Sequence, residues 1–299
     1  MHSTTPRTAL LAAPLLAAAL LTGCAHRPPA PRPDPPAAAP AADPFQQLEQ
    51  RFGARLGVYV LDTGSGREIT HHADERFAFA STSKALAAGA LLRRASDADL
   101  AKVVTYRQAD VLKWAPVTSK HVDTGMTLRD LLAASLDHSD NTAANLVTAE
   151  VGGPAAVQQA LRDLGDITTH VDRTEPTLNE TAPGDTRDTS TPRALAADLR
   201  QYVLGDVLPA DRRRLLTDLM LANTTGGPYI RAGVPAGWKV ADRTGNADHG
   251  TRNDIAVAWP DGGRRPVVIV VLSDRARPDA ASDDELIARA TEAALHALG

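Results

Sequence analysis

Trp238-Lys239-Val240-Ala241-Asp242-Arg243-Thr244, Asp254-Ile255-Ala256-Val257-Ala258-Trp259 and Val267-Val268-Ile269-Val270-Val271-Leu272 are three short runs that read as strands. They follow Gly226, where the periodicity of the chain changes. Near the other end, Leu56–Leu61 is a β-rich run followed by the turn signal Asp62-Thr63-Gly64-Ser65-Gly66 and a second strand near Glu68–His71, which predicts a hairpin. Between the two groups, from Ser81 to about Leu221, the pattern is chiefly helical: Leu86–Arg94, Leu128–Leu136, Thr142–Val151 and Ala194–Val203 are alanine- and leucine-rich. Asp43-Pro44 supplies a cap and an N1 proline for a helix over Phe45–Arg51, and Ser282 with Glu285 predicts a capping box opening a last helix that runs to Leu298. Strands from both ends flanking a helical middle predict an α+β fold. One antiparallel sheet is built from both chain ends with flanking helices, and an all-helical lobe is inserted between them. The sheet lobe covers about 45–75 and 222–299, the helical lobe about 76–221. The active site is expected in the cleft between them. No internal repeat is visible.

The 299 residues allow a sizeable core, and 43% hydrophobic with 23% charged residues is an ordinary globular balance. A net charge of −4 gives no electrostatic case for nucleic acid as a partner. Arg7 precedes an apolar run from Ala9 to Leu21, too short to span a bilayer but suited to a signal-peptide core. It ends at Leu21-Thr22-Gly23-Cys24, which resembles a bacterial lipobox. Residues 1–24 are therefore expected to be a lipoprotein signal, with Cys24, the only cysteine, lipidated at the mature N-terminus. Export across the cytoplasmic membrane and a lipid-anchored, periplasmic or extracellular location follow. Residues 25–44, mostly proline and alanine, cannot bury enough apolar area to fold and are expected to form an extended tether of roughly 60 Å. The catalytic body is then 45–299.

Three short motifs carry chemistry. Ser81-Thr82-Ser83-Lys84 opens a helical run, so Ser81 and Lys84 share one face at i and i+3 and the amine can reach the hydroxyl. A serine hydroxyl becomes a nucleophile only when something takes its proton. Ser139-Asp140-Asn141 leads into the helix at Thr142, and by itself reads as an N-cap cluster. Asp242-Arg243-Thr244-Gly245 ends a strand. Each has a plain structural reading alone; their order and spacing together do not.

Together they resemble class A serine β-lactamases, and the likeness runs from Phe45 to the C-terminus. Arg173-Thr174-Glu175-Pro176-Thr177-Leu178-Asn179-Glu180 resembles the family's Ω-loop segment, and Asp185–Pro192 resembles its end. A carboxylate able to activate water against an acyl-enzyme separates these hydrolases from the penicillin-binding enzymes, which stay acylated. A D,D-peptidase of the penicillin-binding kind, or a non-catalytic β-lactam sensor, is the alternative.

The resemblance implies hydrolysis of penicillin-like antibiotics, and hence resistance to them, through an acyl-Ser81 intermediate. The oxyanion hole comes from the backbone N–H groups of Ser81 and Asn246. Lys84 or Glu175 acts as acylation base, Ser139 passes a proton to the departing nitrogen, and Glu175 with Asn179 activates the deacylating water. Asn141, Thr244, Gly245, Arg243 and Arg252 line the substrate site, and Trp114 stands where the family carries an aromatic cleft wall. Arg173 and Asp188 pair to close the Ω-loop, Asn145 braces it, and Glu175-Pro176 is expected to be cis. Arg243 replaces the usual lysine, a feature that resembles the carbenicillin-hydrolysing members. The histidines, His71 and His72 included, lack metal-ligand spacing, so neither a metal nor another cofactor is expected. The expected partners are a β-lactam and, through the anchor, a membrane; the body is expected to be a monomer.

Overall fold

The computed structural model describes residues 43–182 and 184–299; the signal segment, Cys24 and the proline-rich tether up to residue 42 lie outside the described residues. The first helix, α1 (Pro44–Phe52), begins as its sequence predicts. Asp43 accepts the backbone N–H of Phe45 at 2.9 Å, Pro44 sits where no donor is needed, and Gly53 ends the helix at φ 56°. β1 (Arg55–Asp62) and β2 (Glu68–His71) form the expected hairpin, with Val58 opposite His71.

The far end of the chain supplies β3 (Lys239–Ala247), β4 (Thr251–Trp259) and β5 (Val267–Asp274). β5 pairs with β1, giving one antiparallel sheet in the order β2-β1-β5-β4-β3. Side chains alternate across a strand, so β5 serves two cores. Val268, Val270 and Leu272 enter the cluster shared with the helical lobe, while Val267, Ile269 and Val271 enter the cluster beneath the terminal helices. Burial on both faces explains why the run is apolar throughout instead of alternating.

The helical lobe contains α2 (Ser83–Leu92), α3 (Leu128–Asp137), α4 (Asn141–Val151), α5 (Pro154–Arg162), α6 (Pro192–Val203) and α7 (Ala210–Leu221). Every residue of α2 is buried, which requires a helix apolar on all sides and leaves Lys84 as the exception to be explained by the site. At Gly89 a Cβ would lie 2.6 Å from the Tyr202 ring, so the glycine lets α6 close onto α2.

The last helix, α8 (Glu285–Leu298), starts three residues later than Ser282 predicts, and no capping box forms. Asp283 instead accepts the Glu285 N–H at 3.0 Å, and that carboxylate does the work assigned to the serine. Among the described residues no helix is long and apolar enough to cross a membrane.

Candidate active site

Ser81 sits in a single 3₁₀ turn, Ala80–Thr82, that feeds α2. Ala80 has φ 50°, a left-handed conformation costly for a residue with a Cβ. Three contacts hold it there. Asn253 on β4 donates its amide to Ala78 O at 2.7 Å, Phe79 N–H donates to Asp188 O at 3.1 Å, and β3 presses on the turn at Gly245. A Cβ on Gly245 would lie 2.8 Å from Phe79 O and 3.1 Å from Thr82 N. The absence of a side chain therefore lets the strand bring the Asn246 backbone up beside the serine.

Lys84 lies one turn along, 3% exposed. Its Nζ is 2.8 Å from Ser81 Oγ, 3.1 Å from Ser139 Oγ, 2.6 Å from Asn141 Oδ1 and 2.9 Å from Glu175 Oε1. Burial pushes the ammonium down to about 8, opposed by the Glu175 carboxylate and reinforced by Arg243. The amine is thus part neutral near neutrality. Ser81 Oγ also lies 2.9 Å from Glu175 Oε1, so two groups can accept its proton.

Ser139 has φ 59° and closes the loop before α4. The buried Asp140 carboxylate shapes that loop. It accepts the N–H groups of Val117, Thr118 and Ala143 and the Thr118 hydroxyl, while Asn141 N–H donates to Trp114 O at 2.9 Å. Trp114 itself is 57% exposed, with its indole N–H on His138 O at 3.2 Å; it is a surface ring beside the Ser139–Asn141 loop, not a core residue.

Glu175 arrives from the opposite side, and the Glu175-Pro176 bond is cis. Asn145 on α4 brackets the Glu175 backbone: its Oδ1 accepts the N–H at 2.9 Å and its Nδ2 donates to the C=O at 2.8 Å. Asn179 donates to Glu175 Oε2. Arg173 and Asp188 meet as an ion pair, and Asp188 also accepts the N–H groups of Asp172 and Arg173.

Arg243 is 0% exposed, and its Nη2 donates to Ser139 Oγ. Its Nε and Nη1 have no partner among the described residues. Burial pushes the guanidinium down to about 10, with Asp242 holding it up, so it remains charged at neutral pH. Thr244 shares a hydroxyl hydrogen bond with Thr225, and Asn246 Oδ1 accepts from the Tyr229 hydroxyl. Arg252, expected to line the substrate site, has its Nε 2.7 Å from Asp284 Oδ1, so its charge is matched within the protein.

The structure thus gathers Ser81, Lys84, Ser139, Asn141, Glu175 and Arg243 into one hydrogen-bonded cluster, with Asn145, Asn179, Arg173 and Asp188 behind Glu175. Asp140 and Asn253 escaped the sequence reading as site residues. Asp140 lies within Ser139-Asp140-Asn141 and Asn253 follows Arg252 on β4, but their contacts become visible only when loop and strand meet. The arrangement can make a serine nucleophilic, protonate a leaving group through Ser139 and aim a carboxylate at the ester that results. Among the described residues, the one cluster of His, Cys, Asp or Glu tight enough for a metal is Glu49, His71 and His72, by β2 at the opposite edge of the sheet from β3.

Residues 40–298 match the β-lactamase enzyme family. A β-lactamase of Bacillus licheniformis is 53% identical over 256 residues, covering 86% of this chain and 83% of its own. A β-lactamase of Amycolatopsis lactamdurans is 54% identical over 255 residues, covering 85% and 84%. Among solved structures, a halotolerant bacterial β-lactamase superposes with a TM-score of 0.85 at 50% identity, covering 86% of this chain and 99% of that one. A class A β-lactamase from Clostridium kluyveri superposes with a TM-score of 0.84 at 46% identity, covering 85% and 97%.

Proposed function

We propose, because this chain belongs to the β-lactamase enzyme family and is a class A β-lactamase, that it opens the lactam through an ester to Ser81 and clears that ester with water directed by Glu175. Ser81 Oγ forms a bond to the lactam carbonyl carbon as its proton leaves for Lys84 or Glu175. The carbonyl oxygen takes up negative charge against the N–H groups of Ser81 and Asn246. The C–N bond then breaks, and Ser139 delivers a proton to the nitrogen, with Lys84 and Arg243 in contact with its hydroxyl. Asn141 holds the side-chain amide of the substrate, Asn179 holds the Glu175 carboxylate and the deacylating water, Trp114 flanks the amide, and Thr244, Gly245 and Arg243 serve the ring carboxylate. Arg252, balanced by Asp284, is a weaker contributor to that anion site.

One observation carries this reading: Glu175 Oε1 lies 2.9 Å from Ser81 Oγ, with its carboxylate held by Asn179 and its backbone by Asn145. A penicillin-binding peptidase or a sensor has no use for a carboxylate so placed. Replacing Glu175 with Gln leaves a group of the same shape that cannot accept a proton. Intact-mass spectrometry after mixing with benzylpenicillin should then show an adduct on Ser81 that persists instead of decaying. Unchanged turnover with no accumulated adduct would refute the role of Glu175.

The substrate range follows from Arg243. Its fixed charge, buried beside Ser139, favours penicillins that carry an extra side-chain carboxylate. The enzyme works outside the cytoplasmic membrane as a monomer held by a lipid on Cys24, protecting the cell from β-lactams before they reach their targets.

A further inference from the structure

The Glu49, His71 and His72 side chains lie outside the catalytic cluster and have no part in the reaction above. We propose that they form a site for a divalent transition-metal ion of the zinc type, which clamps α1 to β2. His71 ends β2, and His72 follows it at φ 45°. That left-handed step brings the rings of adjacent residues together, centroids 4.2 Å apart and nearly edge to face, where an extended chain would send them to opposite faces. Glu49 reaches the same point from α1. Its Oε1 is 3.4 Å from His71 Nε2 and 3.7 Å from His72 Nε2. Two ligand atoms at 2.0–2.1 Å from a tetrahedral zinc lie roughly 3.3 Å apart, close to these separations.

The other ring nitrogen of His72 is engaged in the way metal-bound histidines need, and that of His71 faces a carboxylate at longer range. His72 Nδ1 lies 2.7 Å from Glu75 Oε1, and His71 Nδ1 lies 3.5 Å from Asp43 Oδ2. A carboxylate on Nδ1 keeps the proton there and leaves the Nε2 lone pair free to coordinate. The Leu56 N–H, 2.8 Å from Glu49 Oε1, orients the carboxylate in turn. His71 is the second, independent sign. Its side chain is only 8% exposed, yet Nε2 has no hydrogen-bond partner among the described residues. An unpartnered buried imidazole nitrogen costs free energy, and a metal ion at this point removes that cost. His72, 37% exposed at its side chain, opens the fourth position to water. Two imidazoles and one carboxylate suit zinc, copper or nickel better than calcium or magnesium. Among the described residues Arg55 is the one Lys or Arg bonded to Asp43, Glu49 or Glu75, so these carboxylates leave an excess of negative charge for a dication to neutralise.

The full chain in detergent, dialysed against buffered zinc and then assayed for bound metal, tests this. The expected result is one equivalent of zinc per chain, lost on His72→Gln and on Glu49→Gln. His72 is at the surface and a glutamine at 49 still accepts the Leu56 N–H, so both variants keep the fold. Glu75→Gln should weaken binding by about 10–100-fold, the usual effect of removing a partner behind a ligand. Zinc at a hundredfold over its Kd should raise the wild-type Tm by about 5–10 °C, and the rise should vanish in both ligand variants. Penicillin turnover should be the same with zinc or with chelator. Absence of bound zinc, or zinc bound equally by the two variants, would overturn the site; loss of turnover on chelation would overturn its role as a clamp.

Discussion

Position 243 shows how much one side chain decides. A lysine there would be a point charge; arginine presents a planar set of donors that grips a carboxylate at two places. Arg243 spends Nη2 on Ser139 Oγ, and its Nε and Nη1 have no partner among the described residues although the protein covers the side chain fully. Replacing it with lysine keeps the charge and removes the fork. If Arg243 reads a second carboxylate, kcat/KM for a carboxypenicillin relative to benzylpenicillin should fall about tenfold in Arg243→Lys, the equivalent of about 1.4 kcal/mol, while benzylpenicillin alone changes less. A ratio that stays the same in both proteins would show that arginine serves only the common ring carboxylate.

At the scale of elements, α6 carries a fully buried acid. Asp198 is fully buried, and burial, with the nearby Asp166 carboxylate adding to it, pushes its carboxyl up to about 9. The folded protein therefore holds this group protonated, whereas in the unfolded chain it ionises near 3.8. Folding must take up a proton between those values, so this group costs nothing at acid pH and costs progressively more stability as pH rises through that window. Asp198→Asn keeps the shape without the titration. Its Tm should match wild type near pH 4 and exceed it at pH 8.5 by at least about 2–4 °C, the shift that about 1 kcal/mol brings in a chain of this size. An equal loss of Tm at both pH values would mean that the carboxyl is needed for packing and is not an ionisable burden.

For the whole molecule, the question is where the catalytic body sits. Residues 25–44 have the composition of a spacer, and Cys24 ends the apolar run. With a lipid on Cys24 the mature protein should partition into the detergent phase and carry diacylglycerol mass on its N-terminal residue. Cys24→Ala should abolish both and leave the penicillin turnover of whatever body is matured by another route unchanged. A wild-type N-terminus beginning after Cys24 would exclude the anchor. One lipidated residue gives durable attachment only with more than one acyl chain, which diacylglycerol supplies.

Much of this protein was legible in its residues because periodicity and local chemistry act over short distances. The apolar run of β5, the hairpin turn at residues 62–66 and the Asp43-Pro44 cap each contain their own explanation. Ser81 and Lys84 share a helical turn, so their contact was implied by spacing alone. α8 starts later than Ser282 predicts because the Asp283 carboxylate takes the Glu285 N–H, and only the folded chain shows which acceptor wins. Tertiary structure alone decided that Asp284 neutralises Arg252, that Asp140 gathers the Val117–Thr118 loop, and that Glu49 meets two histidines across α1 and β2. In each case the partners lie far apart in the chain or on different elements. A side chain announces what it can bond, but packing of whole elements settles which partner comes within reach.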